Sequence, residues 1–304
     1  MTIDYKKIFK SREMRKKILR LFAFVPDKEM LKLQYRIKFG RKLNLKNPKR
    51  FSEKLQWYKL YYRKPLMKIC VDKADVRQYV TECGYGDILV PIVGVYNQVA
   101  EVDFDSLPSK CVFKDTLGGG GNSVIICKDK SNLNIDIIKR NMNQWITCSS
   151  SYKQAGREWP YGGKHRIIIE NYLESANSDE DIVEYKFFCF YGNPTFLYVI
   201  TDRVIGQSAC LGIFNTNFEQ LGVYRKDERP LTKKIEKPQR YEKMMDIARK
   251  LSEPFPEVRV DLYYVNEKIY FSEMTFYDGS GYVPFCPDTF DYEFGKMFIL
   301  PRKE

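Results

Sequence analysis

Four consecutive glycines, Gly118 to Gly121, stand in the middle of CVFKDTLGGGGNSVIIC, residues 111–127. Glycine loses more backbone entropy on folding than any other residue, so a run of four is rare in a bare connection. Val112 and Phe113 are β-formers, Lys114 ends their run, and Val124 to Cys127 resume an apolar β-like pattern. The pattern predicts strand, glycine loop, strand. Backbone N–H groups in such a loop can approach and wrap an anion.

The order of the parts narrows the chemistry. A P-loop sets its lysine after the glycines, and no G-x-x-x-x-G-K-[ST] occurs here. In a protein kinase the glycine loop precedes the strand that carries the lysine. Here Lys114 comes first and the loop closes after it. That order suits a flexible lid over a nucleotide's phosphates, with a fixed positive charge beneath. The same residues also describe a mobile hairpin tip with a solvated lysine, and the stretch alone leaves both readings open.

A second stretch carries chemistry. RVDLYYVNEKIYFSEMT, residues 259–275, reads as two strands around Asn266-Glu267. Residues two apart on a strand share a face, so Arg259 and Asp261 point one way, as do Glu273 and Thr275. Pairing about the turn brings position 261 near 272 or 273, and two carboxylates converge. Such a pair suits Mg²⁺, which takes one or two carboxylates plus nucleotide phosphates. The alternative is structural, with Asp261 salt-bridged to Arg259 or Lys268 and Glu273 exposed at an edge.

The remaining pattern mixes helices with hairpins. Residues 5–24 predict a basic amphipathic helix with an apolar stripe of Ile8, Phe9, Met14, Ile18, Leu21 and Phe22. Helices follow over Met30 to Phe39, closed by Gly40, and over Phe51 to Tyr62, with Ser52 as N-cap. Asp72 caps a fourth, with Asp75 completing a capping-box variant, and Gly84 ends it. Further helices are expected over Asp136 to Trp145 and Pro238 to Leu251. Strands are expected over Leu89 to Tyr96, Arg166 to Glu170, Tyr185 to Phe190, Thr195 to Asp202 and Leu211 to Asn215. Ser149 to Lys164 reads as a loop, and the part from Tyr277 on is rich in Gly, Pro and aromatics. Several hairpins among helices point to an α+β fold with largely antiparallel sheets.

Charge is unevenly placed. Residues 1–70 carry 22 Lys and Arg against 5 Asp and Glu, a net of +17, and the remainder nets −5. A basic amphipathic helix suits either an anionic membrane surface or a solvated outer face, and no nucleic-acid-binding motif accompanies the charge. No run of about 18 apolar residues is present to span a membrane. The first residues lack an apolar signal-peptide core. Eight scattered cysteines without a C-x-x-C pair, and one histidine, His165, argue against zinc and disulfides and fit a reducing cytoplasm.

Taken together, these stretches resemble the TupA-like ATP-grasp family of bacterial surface-polysaccharide clusters. The match rests on residues 26–65 (PDKEMLKLQYRIKFGRKLNLKNPKRFSEKLQWYKLYYRKP), VDKADVRQYV (71–80), FKDTLGGGGNSVIICKDKS (113–131), GREWPY (156–161), EYKFFCFYGNP (184–194) and VRVDLYYVNEKIYFSEMTFYDGSG (258–281). The resemblance implies two α+β subdomains whose antiparallel sheets sandwich ATP, preceded by a basic helical segment. On that template residues 1–70 form the basic segment and 71–106 the first part of the ATP-grasp domain. Residues 107–165 form the lid subdomain, and 166–304 the C-terminal subdomain with the metal site.

Site roles follow from the same resemblance. Lys114 contacts ATP phosphates, and Gly118, Gly119, Gly120, Gly121 and Asn122 form the closing loop. Lys73 is a second phosphate or structural contact. Glu170, Tyr172 and Leu173 form a hinge against adenine, with Glu184 or Lys186 near the nucleotide. Asp261 and Glu273 bind Mg²⁺, and Arg259 faces phosphate or an acyl phosphate. The wider superfamily's Glu-x-Asn is here Glu273-Met274-Thr275, so a second magnesium depends on the Thr275 hydroxyl.

The implied activity is an ATP-dependent carboxylate–amine ligase that works through an acyl phosphate. It would join an amine or amino acid to a uronic acid in capsule or O-antigen polysaccharide synthesis. The expected location is the cytoplasm, with residues 5–24 against the inner face of the membrane. GREWPY and the Tyr277–Gly281 turn are candidates for the acceptor pocket, with Trp159 and Tyr161 stacking on a sugar ring. Competing readings are a glycan kinase, a nucleotide-sugar glycosyltransferase and a basic scaffold for polyanions or membrane.

Overall fold

The structure, a computed structural model, describes residues 18–119, 121, 123–147, 151–154, 156–175, 182–204 and 208–302. Most of the expected helix over residues 5–24 therefore lies outside the described residues, including Ile8, Phe9 and Met14. Residues 18–21 are helical. Leu21, Phe22 and Phe24 are exposed.

Two sheets carry the architecture. Strands β1 (Ile92–Tyr96), β2 (Cys111–Asp115), β3 (Val124–Cys127) and β4 (Ile167–Asn171) form an antiparallel sheet in the order β1-β4-β2-β3. Strands β5 (Glu184–Phe190), β6 (Asn193–Thr201), β7 (Cys210–Asn215), β9 (Arg229–Pro230), β10 (Val258–Val265) and β11 (Lys268–Thr275) form a second, in the order β11-β10-β5-β6-β7-β9. Its pairs are antiparallel except β7 with β9. A short pair, β8 (Tyr224–Arg225) with β12 (Phe285–Cys286), lies beside it. Strand β4, placed by the expected boundary with the C-terminal part, pairs within the smaller sheet.

Each sheet has its own apolar core. Phe113, Ile167 and Ile169 of the smaller sheet pack with Ile138, Met142 and Trp145 of helix α5 (Ile135–Ile146). The larger core joins Phe187, Leu197 and Val260 to helices α2 (Phe51–Tyr61), α3 (Pro65–Val71), α4 (Val76–Glu82) and α6 (Tyr241–Ser252). Each side contributes a stripe at its own period, 3.6 on helices and 2 on strands.

Helix α1 (Asp27–Phe39) ends as expected at Gly40, whose φ of 71° is left-handed and whose N–H reaches Arg36 O. Helix α2 starts differently from expectation. Arg50, not Ser52, is its N-cap. Glu53 Oε2 accepts the Lys49 and Arg50 N–H groups at 2.9 and 3.2 Å. The Ser52 hydroxyl instead donates to Asp291, 2.6 Å away. Likewise Asp72 accepts from the Ala74 and Asp75 N–H groups, 2.9 and 3.1 Å, in the turn ahead of α4 rather than inside it. Asp75 holds the N-cap position, but its carboxylate pairs with Arg166 and makes no capping bond.

A helix the composition concealed, α7 (Phe290–Met297), closes the larger core. Its Phe294 ring stacks on Phe51 at 4.0 Å between centroids. A Cβ on Gly295 would lie 2.2 Å from Lys49 O, so the close crossing of α7 over the start of α2 needs glycine there.

Candidate functional site

The hairpin β10–β11 turns at Asn266 and Glu267, both with positive φ, the geometry of a tight two-residue turn. Pairing runs in step from Val265↔Lys268 to Leu262↔Phe271, then slips by one, so that Asp261 faces Glu273. The slip decides the site. Without it Asp261 would face Ser272, and Glu273 would point to the opposite side of the sheet. Strand β5 brings Lys186 opposite Asp261 and Glu184 opposite Tyr263 on the same face.

The result is a chain of alternating charges. Lys73 Nζ lies 3.5 Å from Glu273, and Glu273 lies 3.5 Å from Arg259. Arg259 grips Asp261 with two bonds of 2.7 Å, and Lys186 bonds Asp261 at 2.6 Å. Lys186 also pairs with Glu184 at 2.8 Å, and Glu184 with Arg203. A branch leaves Arg259, which bonds Asp278; Asp278 accepts from Tyr198 at 3.1 Å and lies 3.5 Å from Arg225. Thr275 Oγ1 accepts from Arg259 at 3.2 Å.

Electrostatics follow from this order. Burial raises the Glu273 carboxyl, but Lys73, Lys186, Arg259 and Lys114 outweigh it and hold it at about 2. Burial lowers the Lys186 ammonium, while Asp261 and Glu184 bring it above its ordinary value. Lys114 behaves alike: burial lowers it, and Glu170, Tyr263 and Glu273 lift it above the lysine range.

The smaller sheet supplies the other wall. Val112 faces Glu170 and Lys114 faces Ile168 across β2 and β4, so the Lys114 ammonium meets the Glu170 carboxylate diagonally. The Lys73 N–H bonds Thr116 O at 3.0 Å, and its ammonium reaches Gly118 O at 2.5 Å. Lys73 thus joins the glycine loop to Glu273 of the larger sheet. At Gly118 a Cβ would lie 2.7 Å from that of Ser123, so the tight loop base excludes a side chain. His165 and Asp115 brace the same base, Nδ1 at 2.9 Å from both carboxylate oxygens. Gly120 and Asn122 lie outside the described residues.

The family model for TupA-like ATP-grasp proteins matches residues 53–299. The chain belongs to the TupA-like ATP-grasp family. Its two largely antiparallel sheets with flanking helices are the α+β ATP-grasp fold. Among solved structures, this TupA-like protein is similar to an L-amino acid ligase from Bacillus licheniformis, at 14% identity and TM-score 0.44 over 90% of this chain and 57% of that one. A D-alanine–D-alanine ligase from Helicobacter pylori shares 16% identity at TM-score 0.43, covering 77% and 62%. An N5-carboxyaminoimidazole synthetase from Staphylococcus aureus, complexed with ADP, shares 12% at TM-score 0.39, covering 68% and 44%. In each case the chain spans less than two thirds of the other protein's length. No curated protein matches it.

Of the residues the resemblance assigned, this TupA-like chain brings Lys73, Lys114, Gly118, Glu170, Glu184, Lys186, Arg259, Asp261, Glu273 and Thr275 into one continuous region. Tyr172 and Leu173 are half-buried just beyond β4. Glu174 O accepts from Asn266 at 2.9 Å, which ties that segment to the β10–β11 turn.

For the implied magnesium, the donors differ. Glu273 fits: it is ionised, partly exposed, and its cationic neighbours stand back at 3.5 Å. Asp261 already takes three donors, so Lys186 or Arg259 would have to yield one oxygen. No group of three or more His, Cys, Asp and Glu with metal-binding geometry occurs among the described residues. Two carboxylates alone would leave the other positions of a magnesium ion to water or phosphate oxygens.

Sequence reading missed Arg203, Arg225 and Tyr198, which lie in stretches without a motif. Asp278 stood in the singled-out turn, but nothing marked it as Arg259's partner. In GREWPY, Arg157 faces inward instead of toward an acceptor. It is 1% exposed, and donates to Phe22 O, Val25 O and Asp27 at 2.7, 2.8 and 2.9 Å. Trp159 lies under the Lys68 ammonium, 4.7 Å from its ring centre, and Tyr161 packs on the larger core.

Proposed function

We propose that the chain is an ATP-dependent carboxylate–amine ligase that forms an amide by way of an acyl phosphate. The observation that carries this reading is Lys73. It bonds the glycine-loop carbonyl of Gly118 and sits against Glu273, so a phosphate cradle and a carboxylate pair share one cation. Lys73, Lys114, Lys186 and Arg259 line the region where a triphosphate's charge would need neutralising.

In the first half-reaction a carboxylate oxygen of the acceptor attacks the γ-phosphorus, and ADP leaves. In the second, an amine nitrogen attacks the acyl carbon, phosphate leaves, and the nitrogen gives up a proton. Magnesium held by Glu273 and Asp261 would neutralise phosphate charge. The chain's own residues supply the rest. Lys114 and Lys73 orient phosphate oxygens, Arg259 stabilises charge on the transferring phosphoryl group, and the glycine loop excludes water from the acyl phosphate. Glu170, Tyr172 and Leu173 would receive the adenine.

The acceptor is proposed to be an acidic sugar of a surface polysaccharide such as capsule, and the amine an amino acid. Residues 5–24 would rest on the inner membrane surface, in keeping with their positive charge. No helix among the described residues is long and apolar enough to cross a membrane.

The test is ADP release from Mg-ATP with a panel of uronic acids, each with and without amino acids, and hydroxylamine present to trap an acyl phosphate. A hydroxamate supports the ligase. Release of ADP with a phosphoester and no hydroxamate makes the chain a glycan kinase instead. No nucleotide-dependent product with any pair removes the reading.

A further inference from the structure

Three stretches far apart in sequence meet at one buried ammonium. Lys59 Nζ, on helix α2, donates to Gly156 O at 3.0 Å and Ser280 O at 2.9 Å. Glu158 stands 3.4 Å away, and the rings of Tyr277 and Tyr282 lie 5.5 and 5.2 Å from the charge. Lys59 is 0% exposed. Lysine is among the residues least often fully buried, because an ammonium without partners is costly away from water. Here carbonyls and aromatic faces surround it.

One helical turn before it, Gln56 points the same way. Its Nε2 donates to Ser280 O and Gly281 O, both at 3.1 Å. The two side chains hold a turn that ordinary backbone would not keep. Gly279, Ser280 and Gly281 all have positive φ, at 51°, 57° and 66°. Ser280 carries a Cβ in that region, which is unfavourable unless the surroundings over-determine it. A Cβ on Gly281 would lie 2.4 Å from Gln56 Nε2, so helix and turn are in close contact.

The turn begins with Asp278, which is 2% exposed and bonded to Arg259. Arg259 is thereby fixed from two directions, by Asp261 on its own strand and by Asp278 on the turn.

We infer that Gln56 and Lys59 are positioning residues, which lock the Asp278–Gly281 turn and so aim the Arg259 guanidinium into the site. The inference rests on the ligase reading for its functional half. Its structural half concerns the turn alone. Lys59 also ties the turn to Gly156, so the two stretches expected to form the acceptor pocket share one fastening.

Lys59→Met keeps the stem and removes the donors; Gln56→Leu does the same one turn earlier and carries the test if the first variant does not fold. Hydrogen exchange by mass spectrometry is read over residues 156–162 and 277–282, beside thermal titration with Mg-ATP. Local loosening is expected: exchange in both segments rises about tenfold or more while the sheets stay protected. Mg-ATP affinity stays within about threefold, and on any productive substrate pair kcat falls about tenfold or more with KM for ATP unchanged. Unchanged exchange in the turn overturns the inference. So does loosening across both sheets with loss of Mg-ATP affinity, which makes the pair ordinary structural supports. A loosened turn in a chain that makes no ADP defeats the ligase reading and leaves the turn assignment standing.

Discussion

Asp261 and Glu273 face one another across the β10–β11 ladder, yet they are held in opposite ways. Asp261 takes three bonds of 2.6 to 2.7 Å, while Glu273 has cations on two sides, each at 3.5 Å. One carboxylate fixes the cations, and the other is free to exchange them. On the proposed ligase reading, Glu273 is the member that an incoming metal–nucleotide would engage without dismantling the cluster.

Glu273→Gln should therefore abolish most of the thermal stabilisation that Mg-ATP gives the wild type. A ligand at 100 times its dissociation constant adds about 2.7 kcal/mol, a shift of a few degrees for a chain this size. Scanning fluorimetry with Mg-ATP, and with ATP plus EDTA, checks it. An undiminished shift in the variant would assign the metal elsewhere.

The same carboxylate has a pH signature. Its folded-state value of about 2 lies below the ordinary 4.5, so ionised Glu273 stabilises the fold above pH 4.5, and that contribution is lost as pH falls toward 2. The stability difference between wild type and Glu273→Gln should be full at neutral pH and shrink over that window. Urea denaturation at stepped pH measures it, and a difference that grows on acidification would contradict the assignment.

Lys114→Met leaves the Glu170 carboxylate in a mostly buried position without its partner. Breaking such a pair costs roughly 3 kcal/mol, and removing both charges costs less. In a double-mutant cycle, Glu170→Gln should restore part of the stability lost by Lys114→Met. Additive losses would mean the pair contributes no coupling.

Gly295→Ala sets a methyl group against the backbone of Lys49 and Phe51. Neither backbone can move without disturbing both helices, and overpacking of this kind costs about 1–3 kcal/mol or more. The urea midpoint should fall with the slope unchanged, whereas a neutral variant would show that α7 can slide.

Local pattern made part of this site legible. The glycine run with Lys114 ahead of it, and the carboxylates about Asn266-Glu267, are readable because strand alternation assigns faces over a few residues. The choice between 272 and 273 was not readable, since it depends on the one-residue slip. Arg203, Arg225 and Asp278 reach the cluster from elements whose approach only tertiary packing decides. Helix α7 was hidden by its Gly, Pro and aromatic surroundings, although Phe290, Phe294 and Phe298 recur every four residues. Lys59 was invisible for a different reason: a lysine on an amphipathic helix ordinarily reads as its wet side.

Arg157 sets a limit on how short the protein can be made. The family match starts at residue 53, which invites a truncation there. The Arg157 guanidinium, however, has Phe22 O, Val25 O and Asp27 as partners. Cutting them away strips the Arg157 guanidinium of those three partners, beside the loop that Lys59 holds. A chain that keeps those bonds begins at or before Phe22, some thirty residues ahead of the boundary that similarity alone would draw.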